Sequence, residues 1–190
     1  MMNTMNRSRM MRTLITAVVG LCAAAGCLIE TRASSSALHD YGAAPELAGI
    51  EGWLNSEPMT LSQLKGKVVL VDFWTYSCIN CLRTLPYITR WYDKFRDRGL
   101  VVIGVHTPEF GYEKSVRNVQ TAIKRNGISY PVAQDNQYAT WKAFDNEYWP
   151  AVYLIDRRGY VMLKHVGEGS YEETEQAINT LLNSNAEADR

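Results

Sequence analysis

The sequence predicts an α/β domain whose sheet is covered by helices on both faces. Three observations predict it. Residues 67–74 (KVVLVDFW), 100–105 and 151–155 are short apolar runs rich in β-branched and aromatic residues, which is how strands buried on both faces read. Residues 82–98 and 112–126 lie between those runs and carry apolar side chains at helical spacing. After the last run come a turn, a returning strand and a helix, so strand–helix alternation closes on a hairpin. Composition agrees. A chain of 190 residues with 46% hydrophobic and 21% charged residues has room for one domain or two small ones and is not the composition of a disordered chain. Its 20 basic residues match 20 acidic ones, so there is no basic excess on which a nucleic-acid surface would be built. No apolar run reaches the roughly 18 residues of a membrane span.

Residues 1–33 fall outside that domain. Arg7, Arg9 and Arg12 precede an uncharged run at 14–29, and Thr31 and Ala33 stand ahead of Ser34. A positive stretch, an apolar stretch and small residues at the exit describe a secretory signal peptide. A retained membrane anchor is the alternative, and Ala24-Ala25-Gly26-Cys27 weakly resembles a lipoprotein processing box. Each reading exports the rest of the chain and confines membrane contact to this N-terminal segment. A cut after Ala33 removes four arginines and one glutamate, leaving 16 basic against 19 acidic residues. It also removes Cys22 and Cys27, so the mature chain keeps only Cys78 and Cys81.

Residues 34–46 are small and polar and read as a tether; 47–186 form the domain. Residues 50–61 hold strand-like residues around Asn55-Ser56-Glu57-Pro58, the pattern of a short N-terminal β-hairpin or of a plain loop. The strand at 67–74 follows. The helix at 82–98 places Leu82, Leu85, Ile88, Trp91, Tyr92 and Phe95 at helical spacing, and Gly99 ends it. A second strand at 100–105 leads to the amphipathic helix at 112–126, with Val116, Val119 and Ile123 on one face and Gly127 as its stop. A short helix is expected at 138–144, a third strand at 151–155, its return at 160–166, and a final helix at 171–182.

Cys78-Ile79-Asn80-Cys81 follows a buried strand and opens a helix. Free backbone N–H groups and the positive end of the helix dipole there favour a thiolate on the first sulfur. The second sulfur lies one turn on, within reach to close a disulfide. Cys78 is expected to attack a partner's disulfide and Cys81 to resolve the mixed disulfide. Two other uses of the pair compete with this one. Half of a zinc site needs two more ligands, and His39, His106 and His165 are the mature chain's histidines. A structural disulfide closing so short a loop would constrain little chain.

Val71-Asp72-Phe73-Trp74 followed by Cys78-x-x-Cys81 resembles the thioredoxin active-site segment. Pro86 matches the proline inside the thioredoxin helix, and Trp149-Pro150 matches the cis-proline loop that faces the cysteines. The tether, the hairpin and the αβ segment inserted after the second central strand, at 107–134, resemble the TlpA/ResA-like exported thiol-disulfide oxidoreductases. WTYSCINCLRTLPYI with GVHTPEF is most similar to the thioredoxin-like domain of DipZ-type proteins, where that domain is fused to a CcdA-like membrane electron carrier. Ile79-Asn80 replaces the Gly-Pro of thioredoxin, and the intervening dipeptide tunes the potential. The resemblance implies a thioredoxin fold, a redox-active Cys78–Cys81 disulfide with no other cofactor or metal, substrate proteins bearing disulfides or thiols, and a membrane electron donor of CcdA type. It implies reduction as the direction, as in cytochrome c maturation.

Asp72 is a lone carboxylate in an apolar strand, which is costly unless it is paired or protonated. The matching thioredoxin aspartate implies a buried proton acceptor for Cys81; a structural carboxylate bonded to nearby backbone is the alternative. Pro150 would present the backbone of Trp149 to a partner's extended chain. Trp74 and Trp149 are expected to wall the site as substrate contacts. His106 and Glu109 follow the strand beside the CxxC strand and so fall at the same sheet edge, where they would tune the thiols or touch substrate; a bland surface role is equally consistent. His165 has no functional reading. Two rival functions use the same residues. Thr75-x-x-Cys78 echoes the threonine that precedes a peroxidatic cysteine, which would make the chain a thiol peroxidase of peroxiredoxin type. A Sco-like copper-binding protein would use both thiols and His106, although such proteins space their cysteines one residue wider.

Overall fold

The computed structural model describes residues 38–184; the expected signal peptide lies outside them. Six strands form one sheet: β1 (Gly52–Leu54), β2 (Val68–Trp74), β3 (Leu100–His106), β4 (Val132–Gln134), β5 (Ala151–Ile155) and β6 (Val161–Val166), in the order β1-β4-β3-β2-β5-β6. β2, β3 and β4 run parallel; β5, β6 and β1 run antiparallel to their neighbours. All seven residues of β2 are buried, because the strand sits mid-sheet with side chains filling cores above and below.

Alternation along β2 divides those cores. Val68, Leu70 and Trp74 face α1 (Ile79–Phe95), α2 (Val116–Arg125) and α4 (Tyr171–Asn183), through Leu85, Ile88, Val119, Ile123, Ile178 and their neighbours. Val69, Val71 and Phe73 face α3 (Ala139–Ala143) and an irregular roof made by residues 44–64. Helices therefore lie on both faces, but among the described residues the second face carries only α3 and a 3₁₀ turn at Ser62–Leu64.

That roof corrects the expected N-terminal hairpin. β1 pairs with β4 rather than with a strand of its own segment. Asn55 adopts a left-handed φ of 63° and its amide donates to the carbonyls of Ile128 and Tyr130 at 3.1 and 3.0 Å. The segment is thus pinned to distant chain, not to itself. Ile50, Trp53, Met59, Leu61 and Leu64 pack on the second core, and alternating exposure on a hairpin would waste that burial.

The inserted segment after β3 contains a 3₁₀ turn at Gly111–Lys114, then α2 and β4. One helix was expected over 112–126. Ser115 is extended and divides it, so that Glu113 and Val116 fall on opposite sides of a break, and Val116 is exposed. Residues 38–44, in the stretch read as a tether, lie along β6: His39 and Tyr41 donate to the carbonyls of Met162 and Val161, and Val161 returns a bond to Gly42. Among the described residues no helix is long and apolar enough to cross a membrane.

Candidate active site

β2 ends at Trp74 and α1 begins at Ile79, so the four residues between them lie at the sheet edge above the first core. Cys78 is the helix N-cap, and its sulfur accepts the backbone N–H of Cys81 at 3.2 Å. The sulfur is half-buried. Its hydrogen bond with the Cys81 thiol pulls its pKa down, burial opposes, the N–H groups of Cys81 and Asn80 pull further, and the Glu109 carboxylate resists; the result is about 7. Cys81, one turn on, is 1% exposed. Burial drives its pKa far up, and the charges of Cys78 and Asp72 add to the rise. Three residues of separation produce one sulfur that ionises near neutrality and one that stays protonated. Both are free thiols.

Asp72 lies below them in β2, buried, with neither carboxylate oxygen in a hydrogen bond. Burial first, and the charge of Cys78 second, raise its pKa to about 7. Its neighbour in the parallel register is Gly104. A methyl there would sit 3.0 Å from both Trp74 Nε1 and Tyr130 Cε2. The Trp74 N–H and the Tyr130 hydroxyl are also buried and unpartnered, and the Asp72 charge contributes to a raised Tyr130 pKa. Glycine at 104 thus lets an indole, a phenol and a carboxyl crowd into one interior space.

His106, at the end of β3, is fully buried, with Tyr76 stacked over it and Trp74 edge-on to it. Its Nε2 lies 3.4 Å from the Thr75 hydroxyl. Burial depresses its pKa to about 4 although Glu113 pulls it up, so the ring is neutral. The Thr75 hydroxyl also bonds Glu113. The Thr75 hydroxyl and the His106 ring are thus paired with each other. Among the described residues no group of three or more His, Cys, Asp or Glu could hold a metal ion.

Residues 43–164 match the AhpC/TSA family. The chain belongs to that family. Over 149 residues it is 53% identical to Protein DipZ of Mycobacterium tuberculosis, an alignment covering 77% of this chain and 21% of DipZ. The chain therefore spans about a fifth of that relative. It is 33% identical over 139 residues to the thiol-disulfide oxidoreductase YkuV of Bacillus subtilis, covering 73% of this chain and 93% of YkuV. Among solved structures, a putative thiol:disulfide interchange protein DsbE from Chlorobium tepidum superposes with a TM-score of 0.67 at 26% identity, covering 77% of this chain and 99% of that one. These relationships put this AhpC/TSA member among the thioredoxin-superfamily thiol-disulfide oxidoreductases related to DipZ and ResA.

Of the residues expected at the site, Cys81, Asp72 and Glu109 are each brought within electrostatic reach of Cys78. Trp149 is half-buried, donates its indole N–H to the Thr107 carbonyl at 3.0 Å and lies against Trp141 with centroids 4.2 Å apart. The Trp149–Pro150 bond is cis, and Pro150 is buried. Trp74 is 0% exposed: it underlies the cysteines and offers substrate no surface. Sequence reasoning missed Glu113. Its carboxylate is buried and accepts from Ser77 N and Oγ, from Glu109 N and from Phe110 N, at 3.3, 2.5, 2.6 and 2.8 Å.

Proposed function

We propose that this domain exchanges disulfides with partner proteins through Cys78 and Cys81, outside the cytoplasm and in the reductive direction. The inequality of the two thiols above an unpartnered Asp72 carries the reading. The Cys78 thiolate attacks one sulfur of a substrate disulfide. A mixed disulfide forms, and the first substrate sulfur leaves as a thiolate that takes a proton from water. Cys81 then gives its proton to Asp72 and attacks Cys78 Sγ. The intramolecular disulfide closes, the second substrate sulfur departs, and the substrate has gained two electrons.

Electrostatics order these steps. While Cys78 is a thiolate, its charge helps keep Asp72 protonated. Once Cys78 is in the mixed disulfide that charge is gone. Asp72 then releases its proton more readily and becomes a base when Cys81 needs one. Pro150 and the backbone of Trp149 would hold the substrate's extended chain. The direction, the role in a process such as cytochrome c maturation, and a CcdA-type membrane donor rest on the likeness to TlpA/ResA-like and DipZ-type sequences. Export rests on the N-terminal signal pattern.

Trapping tests the mechanism. Cys81→Ser should accumulate mixed disulfides with proteins of the exported compartment, and Cys78→Ser should trap none. Equal yields from the two variants would sink it. The equilibrium potential of the couple against glutathione sets the direction.

A further inference from the structure

We propose that Glu113 is a positioning residue that pins the loop bearing Glu109 beside Cys78 and so sets the charge the attacking sulfur meets. The inference rests on the disulfide-exchange reading and adds to it a residue outside the cysteine motif.

The carboxylate is divided between two pieces of chain. Oε1 accepts the N–H and hydroxyl of Ser77, the residue just before Cys78. Oε2 accepts the N–H groups of Glu109 and Phe110, in the inserted segment. One side chain thus clamps the redox loop to the loop that follows β3. Charge-assisted bonds of this kind are about twice as strong as neutral ones. Burial pushes the Glu113 carboxyl up, but the donors from Ser77, Phe110, Thr75 and Glu109 outweigh it and hold it below its usual value. The clamp therefore stays ionised across the range in which Cys78 titrates.

Fixing Glu109 has a consequence because its carboxylate acts on Cys78. The titratable groups that act on that sulfur are Cys81 on α1, Asp72 on β2 and Glu109 on the inserted loop; His106 and Tyr138 lie in the field of Glu113. Glu109 is the exposed member of the first set, and the clamp holds its backbone N–H, which fixes the point from which its side chain reaches toward Cys78. Other stitches would survive loss of the clamp. The Tyr76 hydroxyl donates to the Tyr112 carbonyl at 3.0 Å, and Asn118 donates to the same carbonyl at 3.2 Å.

Glutamine cannot replace the clamp, since it has one acceptor oxygen and turns an amide N–H₂ toward whichever loop it does not serve. The test is the pH dependence of Cys78 alkylation, mapped by mass, in the full reduced protein and in Glu109→Gln, Glu113→Gln and the double variant. Glu109→Gln should lower the midpoint by about half a unit, a roughly threefold change in the thiolate equilibrium. Glu113→Gln should lower it by a similar amount, and the double variant should shift no further than either single one. Additive shifts, or a Glu113→Gln midpoint equal to the parent's, would overturn the proposal. If Glu113→Gln does not fold, Glu113→Asp decides: it keeps the charge, is too short to span both loops, and should shift the midpoint in the same direction, whereas an unmoved midpoint rejects the clamp. Failure of the exchange reading looks different, since Cys81 would then be alkylated as fast as Cys78 in the parent itself.

Discussion

Asp72 and Glu113 are both carboxylates buried near the same cysteine, and they end in opposite states. Asp72 receives no hydrogen bond and holds its proton up to about pH 7. Glu113 receives bonds from four residues and ionises below its usual range. Surface exposure does not separate them, at 1% and 0%. Depth and donors do: Asp72 lies deeper in the interior, and N–H and O–H groups aimed at Glu113 replace the water that burial removed. The difference suits the two proposed roles: a proton carrier must be able to change state and is left without donors, whereas a clamp must not and is saturated with them.

The comparison can be broken first through pH. Folded Asp72 keeps a proton that the unfolded chain gives up above its ordinary value of 3.8, so its contribution falls as pH rises from about 4 to about 7. Asp72→Asn removes that fall. The variant's stability relative to the parent should climb across this window by on the order of 4 kcal/mol, at about 1.4 kcal/mol per unit. His106 has the opposite sign. It is neutral when folded down to about 4, while the unfolded chain takes up a proton near 6.5, so its contribution is lost as pH falls through 6.5 toward 4. In the parent these two opposed slopes offset each other between 4 and 6.5, whereas in the variant only that of His106 remains. Denaturant midpoints at several pH values read both, and parallel profiles would show that Asp72 is not held protonated.

The same variant should slow resolution of the mixed disulfide by about 10²-fold while attack by Cys78 changes little. Rapid-quench release of the substrate thiol separates the steps. Unchanged resolution together with lost stability would make Asp72 a structural carboxylate.

Glu113→Ala sharpens the other half. It strips the acceptor from the N–H groups of Ser77, Glu109 and Phe110, of which only some can turn to water, and should cost about 2 kcal/mol in urea denaturation. A loss below a few tenths would mean the clamp contributes nothing to the fold.

Asp72 was legible in the sequence because it is wrong for its strand: one carboxylate among six apolar neighbours in VVLVDFW. The cysteines were legible because a strand before them and a helix after them define their surroundings locally. Glu113 was not legible, because its main partner, Ser77, is 36 residues away and no periodicity records such a bond. Half a signal existed. A glutamate three residues after Phe110, returning to its N–H at the start of a helical turn, is one arm of a capping box, but the continuous helix expected over 112–126 hid that start. The hairpin failed for a related reason. Asn55 and Pro58 do mark a turn, yet the apolar residues flanking it are spent on roofing the second core, and which core needs a roof is a property of the assembled sheet.

The depth of Cys81 also decides how the pair ages. A peroxide reaching the protein meets a half-ionised, half-exposed Cys78 and gives a sulfenic acid and water. Cys81, shielded from the oxidant, condenses with that sulfenic acid, expels a second water and leaves the same Cys78–Cys81 disulfide that the proposed exchange cycle contains. Oxidation beyond the sulfenic stage is irreversible on Cys78 and out of reach for Cys81. Sealing one sulfur inside the fold therefore keeps a resolving thiol intact for a sulfenic acid formed on the other, at no cost in additional residues.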